Sequence, residues 1–152
     1  MPTKIVSGNE VVAMVEVFCA THDIPVNAIA LGGGAALMLR GMRDMTNDIN
    51  LWVLPKYFNK LAEDNKVVNH PLVDVVVNPK DNEYFWVREY NPYFVTEVID
   101  GIPCYDLLPL IVFKRGSLAE VKRPLAKRQQ DREDLVLLDA ALTEKNKVKE
   151  VA

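Results

Sequence analysis

Residues 31–53, LGGGAALMLRGMRDMTNDINLWV, decide how this chain is read. The short apolar run Ala28–Leu31 reads as a buried strand, and Gly32-Gly33-Gly34 turns the chain out of it. Ala35–Arg40 then reads as a helix closed at Gly41, a residue suited to the left-handed helix end. From Asn47 to Val53 the pattern alternates. Ile49, Leu51 and Val53 share one face of a strand, and Asp48, Asn50 and Trp52 share the other. The stretch is therefore a strand, a glycine turn, a short helix and a second strand whose polar face carries Asp48 and Asn50.

This order brings together residue types that suit phosphate and metal chemistry. Glycines let backbone N–H groups approach a phosphate, and the start of a helix favours negative charge. A tight strand-to-helix turn explains the same glycines more simply when they are taken alone. No Gly-Lys-Ser/Thr follows, so this is not a Walker loop. Two carboxylates placed as residues 48 and 50 are would share a hard divalent cation. Asp48 can act this way, whereas Asn50 offers only a neutral carbonyl oxygen. The structural alternative has Asp48 neutralising Arg43 and Asn50 as a plain polar residue.

Downstream, Pro55 suits the first turn of a helix ending near Asn65. Leu72–Val77 is strongly β-branched and reads as a buried strand with one acid, Asp74. A carboxylate on so apolar a strand needs a partner or a cleft, which leaves two readings for Asp74: a third acid meeting Asp48 across neighbouring strands, or an ion pair with an arginine. Residues 78–82, NPKDN, form a turn cluster, and Tyr84–Val87 and Tyr93–Ile99 read as strands. Asp100-Gly101 makes a hairpin into Ile102–Tyr105. Asp106 caps a helix running through Lys114, which Gly116-Ser117 interrupts, and Pro124 marks a further break. The longest helix is read over Leu125–Leu142, with Leu135, Leu138 and Leu142 inward, before a charged tail, residues 143–152, that is expected to fray. Upstream, Ser7 and Glu10 form a capping box before a helix with Val11, Val15, Phe18, Cys19 and His22 at helical spacing, ended before Pro25. The order predicts an α/β (α+β) fold, a mixed β-sheet flanked by helices, with a helical C-terminus.

Composition narrows the partners. At 152 residues the chain is most simply one domain with a real core. A net charge of -3 gives no reason to expect strong general nucleic-acid binding. No apolar run spans a bilayer, so no membrane partner is expected. The N-terminus MPTKIVSGNE has no signal-peptide pattern, and Cys19 and Cys104 read as free thiols, so the expected setting is the cytoplasm. The histidines and cysteines do not stand at zinc spacing, and no nucleophile–base motif is recognisable. Tyr84-Phe85-Trp86, with Tyr90 and Tyr93, can stack a base, though sheet packing explains them more simply. Lys114, Lys122, Arg123, Lys127, Arg128 and Arg132 concentrate positive charge near the C-terminus. Lys127 and Arg128 are the candidates for a triphosphate clamp. The competing reading makes Lys127, Arg128, Asp131, Arg132 and Asp134 a solvated helix face of i,i+3 and i,i+4 pairs.

Taken together, Gly33-Gly34, Gly41, Arg43, Thr46, Asp48, Ile49 and Asn50 resemble the nucleotidyltransferase superfold, most closely its small, minimal members among toxin–antitoxin and abortive-infection proteins. Asp74 resembles the family's third acid. Lys127-Arg128 with Asp131, Asp134 and Leu135 resembles its basic C-terminal helix. The resemblance implies a single nucleotidyltransferase-like domain over 1–152. It implies a nucleoside triphosphate (NTP) substrate, Mg²⁺ or Mn²⁺ as cofactor, and transfer of a nucleoside monophosphate to an RNA, protein or small-molecule hydroxyl. Carried over, Gly33, Gly34, Arg43, Thr46, Lys127 and Arg128 would bind the nucleotide. Asp48, Asn50 and Asp74 would stand at the metal positions, and Asp48 and Asp74 would be catalytic. Asn50 departs from the family's Asp-hydrophobic-Asp pattern. The alternative is an inactive relative that binds nucleotide or a partner as an antitoxin, inhibitor or subunit.

Overall fold

Helix α1, Gly8–Thr21, starts at Ser7, whose hydroxyl accepts the Glu10 amide at 3.2 Å. This is the Ser7 half of the capping box expected from Ser7-Gly8-Asn9-Glu10. Val11, Val15, Phe18 and Cys19 are its buried face, as their spacing predicts. The computed structural model describes residues 4–53, 57, 72–75, 96–120 and 122–151. The expected helix 55–65 and strand 84–87, and the aromatic cluster 84–93, lie outside the described residues, apart from Tyr57, which is helical. The architecture is α+β. Among the described residues a mixed five-stranded sheet is accompanied by four helices, the last of them C-terminal. No helix among them is long and apolar enough to cross a membrane. The chain divides into two compact units, Met1–Tyr105 and Asp106–Ala152.

The first unit holds the sheet. Strand β1 is Ile29–Gly32, β2 Ile49–Val53, β3 Val73–Val75, β4 Thr96–Ile99 and β5 Ile102–Tyr105. Their spatial order is β3-β2-β1-β5-β4. β1 pairs antiparallel with β2 and parallel with β5, β2 pairs parallel with β3, and β4 pairs antiparallel with β5. Every residue of β1 is buried, as a central strand covered on both faces requires. On β2, Ile49, Leu51 and Val53 are fully buried, so the alternation read from the sequence holds. Trp52, on the other face, is also buried, and its ring meets Tyr105 edge-on at 5.4 Å. The Asp100-Gly101 turn has φ of 51° and 81°, positive at both central positions as a two-residue hairpin prefers.

Helix α2, Gly33–Leu39, packs on β1, β2 and α1. It closes at Gly41, whose φ is 73°. The Gly41 amide donates to Met38 and the Met42 amide to Leu37, at 3.0 and 2.8 Å, which satisfies two carbonyls of the last turn. From the same helix end, Arg40 donates to the Tyr105 carbonyl at 2.9 Å and pairs with Glu97 at 3.1 Å. These contacts anchor α2 to β5 and β4.

The second unit is a pair of packed helices, α3 (Leu107–Leu118) and α4 (Leu125–Val151). Asp106 caps α3 by accepting the Leu107 amide at 2.7 Å. Gly116-Ser117 does not interrupt α3. The Ser117 hydroxyl donates to the Phe113 carbonyl at 3.1 Å, one turn back, so the polar side chain is satisfied inside the helix. Pro124 does mark the break expected of it. Its carbonyl accepts the Arg128 amide at 3.0 Å and begins α4. α4 continues past Leu142 through residues 143–151, the stretch expected to fray. Within that stretch the Thr143 hydroxyl donates to Asp139, and Lys145 pairs with Asp106 at 3.2 Å. Leu138 is fully buried, while Leu135 and Leu142 are half-buried.

Candidate functional site

The β1–α2 turn and the first residues of β2 meet at one place in the first unit. Gly33 has a φ of +59°, and a Cβ there would lie 2.8 Å from Asn50 Nδ2. A Cβ on Gly34 would lie 2.5 Å from Arg43 Nη1 and 2.6 Å from Thr46 Oγ1. These glycines are glycines because side chains of the 43–50 segment occupy the space a Cβ would fill. This is the tight, closely packed turn that explains these glycines most simply when they are taken alone; the phosphate contact implied by the family resemblance has to share that space with Asn50, Arg43 and Thr46.

Thr46 is buried, and its hydroxyl donates to the Asp48 carbonyl at 3.1 Å. Its main chain pairs with Ile5 through two hydrogen bonds of 2.9 and 3.0 Å. The residue expected to touch nucleotide therefore sets the backbone position of Asp48. Asp48 itself is exposed just before β2.

The β2–β3 ladder supplies the third polar group. Asn50 stands opposite Asp74 on β3 and opposite Gly32 on β1. Register partners on neighbouring parallel strands share a face, so Asp74 lies beside Asn50, with Asp48 two residues earlier on β2's polar side. Asp74 and Asp48 are both exposed, while Asn50 is half-buried. Partial burial, and then the negative charge of Asp48, push the Asp74 carboxyl above its usual value. The two acids therefore feel each other. Of the two readings left open for Asp74, this favours the acid meeting Asp48 across neighbouring strands.

Two oxygen-rich carboxylates suit one hard divalent cation. The donor set does not suit a pair of ions, because the third position carries an uncharged amide. Among the described residues, no group of three His, Cys, Asp or Glu side chains gathers as a metal site.

Lys127 and Arg128 belong to the second unit. Lys127 is exposed. Arg128 donates to the main-chain carbonyls of Arg123 and Glu120, fastening the connection between α3 and α4. That accounts for Arg128 without a triphosphate.

The solvated-face reading fails at Asp131 and Asp134, each only 1% exposed. Lys114 reaches both, at 3.1 and 2.9 Å, and Arg123 binds Asp131 at 2.5 Å. Burial pushes the Asp131 carboxyl up, but the hydrogen bonds from Arg123 and Lys114 outweigh it and hold the group below its usual value. The signal was present in the sequence. Asp131, Asp134 and Leu138 recur at i, i+3 and i+7, on the stripe that carries a buried leucine.

A cleft in the first unit is lined by Cys19, Ala20, Asp23, Ile24, Pro25 and Tyr57, and none of the candidate residues lines it. Burial pushes the Cys19 thiol up to about 11, so it is no ready nucleophile at neutral pH. Comparison with family models, with curated proteins and with solved structures gave no match.

Proposed function

We propose that this chain is a nucleotidyltransferase-like protein that binds a nucleoside triphosphate with Mg²⁺ or Mn²⁺ and transfers the nucleoside monophosphate weakly to an RNA, protein or small-molecule hydroxyl. The observation that supports this reading best is the meeting of Gly33, Gly34, Arg43, Thr46, Asp48, Asn50 and Asp74 at one end of β2. Asp48 and Asp74 would hold the divalent cation, which when bound offsets the charge on the triphosphate and on the acceptor oxygen. Thr46 keeps the Asp48 main chain in place. Arg43, seated on Gly34, brings a permanent positive charge to the start of α2. Asp74 would serve either as a ligand of that cation or as the base that accepts the proton from the attacking hydroxyl. The acceptor oxygen forms its bond to the α-phosphorus, the bond to pyrophosphate breaks, and the proton leaves through the carboxylate.

Asn50 favours a second reading, in which the chain binds nucleotide or a partner without chemistry. An amide in the ladder beside Asp74 removes one of the charges such catalysis uses. Labelled triphosphates incubated with Mg²⁺ or Mn²⁺ and a mixed RNA and protein acceptor pool separate the two. Label transfer by the native chain that disappears in Asp48→Ala supports the first reading. Transfer that survives Asp48→Ala refutes the mechanism, and transfer by Asn50→Asp alone leaves the native chain a binding protein.

A further inference from the structure

We infer that the cleft at the C-terminal end of α1 binds a small organic ammonium ion, with the Asp23 carboxylate as its counter-charge and an apolar floor for its carbon body. The site is independent of the nucleotidyltransferase-like reading and lies at the other end of β1 from Gly33 and Gly34. Pro25 and the short turn Val26–Ala28 lead into β1 at Ile29, and Ile29 stands opposite Val53, the last residue of β2. That pairing brings Tyr57, four positions beyond Val53, to the same end of the sheet as Ile24 and Pro25.

The cleft offers about 390 Å³, inside the roughly 300–1,000 Å³ of small-molecule pockets. Cys19 and Ile24 are buried and form its floor, while Ala20, Asp23 and Pro25 are exposed at its rim. Charge selects the sign of the ligand. Asp23 is the one acid among the lining residues, which include no Lys, Arg or His. It follows directly on the end of α1, where the negative end of the helix dipole adds to its field, and no basic residue stands in the last turn. Asp23 also holds the left-handed turn, with φ 55°, its own amide donating to Ala20 and the Ile24 amide to Cys19 at 2.9 Å. Glycine or asparagine suits that turn better, and an anion there is disfavoured by the helix, so the carboxylate serves a ligand rather than the fold. Among the described residues no side chain pairs with it. The floor adds a second polar group. Cys19 stands four positions before Asp23, is 2% exposed, and among the described residues its thiol has no hydrogen-bond partner. An ammonium group carries three N–H donors, enough for the carboxylate, the weakly accepting sulfur and water together. Tyr57 adds an aromatic ring for the cation, and Ala20, Ile24 and Pro25 cover a short hydrocarbon body. A hard metal ion is a poor fit, because one carboxylate supplies too few oxygen ligands.

The test is a titration of the isotope-labelled full chain with phenethylammonium at low salt, followed by amide NMR shifts, with phenethyl alcohol as the neutral counterpart of similar shape. The ammonium is expected to give saturable shifts centred on residues 19–25, and the alcohol none. Asp23→Asn keeps a residue suited to the left-handed turn and is expected to bind the ammonium about fivefold more weakly, the loss of one charge-assisted hydrogen bond. Ala20→Leu, at the exposed rim, leaves the turn and the carboxylate alone and is expected to weaken binding by filling the cleft. Absence of saturable shifts with the ammonium, equal binding of the alcohol, or undiminished binding by either variant overturns the inference.

Discussion

Gly34→Ala measures how tightly the turn is built around its neighbours. In an open helix start, alanine would gain about 1 kcal/mol over glycine from helix propensity alone. Here the new methyl would lie 2.5 Å from Arg43 Nη1 and 2.6 Å from Thr46 Oγ1. Arg43 is long and its end can swing aside. Thr46 is short and buried, donates to Asp48 at 3.1 Å, and is fixed to Ile5 by two main-chain hydrogen bonds. Overpacking of this kind costs about 1–3 kcal/mol. Breaking the Thr46–Asp48 bond adds about 1 kcal/mol. Set against the propensity gain, the net loss is about 1–3 kcal/mol, or roughly 2–4 °C in melting temperature per kcal/mol for a chain of this size. Urea unfolding of native, Gly34→Ala, Thr46→Ala and the double variant forms a cycle that isolates the contact. The substitution at 34 is expected to cost at least about 1 kcal/mol less when Thr46 is already alanine. A neutral or stabilising Gly34→Ala, or an additive cycle, would refute the packing argument.

Gly33→Ala and Gly41→Ala both force a positive φ on alanine, but only Gly33 also meets a neighbour, so Gly33→Ala is expected to be the more destabilising by about 1 kcal/mol or more in denaturant titrations. Lys114→Met leaves Asp131 and Asp134 buried without their shared cation and is expected to cost about 3–5 kcal/mol, read by calorimetry. The Asp131 carboxyl is held below its unfolded value of 3.8, so its contribution is fully present above that pH and is lost as pH falls through the lower, folded value. Acid titration of Asp131→Asn is expected to show a flatter loss of stability than the native chain. Burial holds the Cys19 and Cys104 thiols at about 11 and about 12, so neither is expected to react with a thiol reagent at pH 8 until the chain is unfolded.

Local signals carried most of what the sequence revealed. Ser7 with Glu10, Gly41, Asp100-Gly101 and the alternation of Ile49, Leu51 and Val53 each act within a few residues, and each has the expected geometry. What escaped depends on distant partners. The register that sets Asn50 opposite Asp74 joins strands separated by more than twenty positions, and the residues alone left Asp74 equally open to this neighbourhood and to an arginine. The close packing at Gly33 and Gly34 was expected of a tight turn, but sequence spacing does not show that the side chains filling it are those of Asn50, Arg43 and Thr46. Gly116-Ser117 looked like a stop because the hydroxyl's bond to Phe113 exists only once the helix has formed. Asp131 and Asp134 resembled a wetted face because their partners, Lys114 and Arg123, come from the preceding helix and connection.

Binding of non-hydrolysable nucleoside triphosphates, with and without Mn²⁺, tests the central claim most directly. All four bases would be titrated against the native chain, Asp48→Asn and Asp74→Asn, with calorimetry as the readout. The account predicts binding that requires Mn²⁺ and falls at least tenfold in each variant. Triphosphate binding that is absent for all four bases, or that is indifferent to the metal and to both acids, would contradict it.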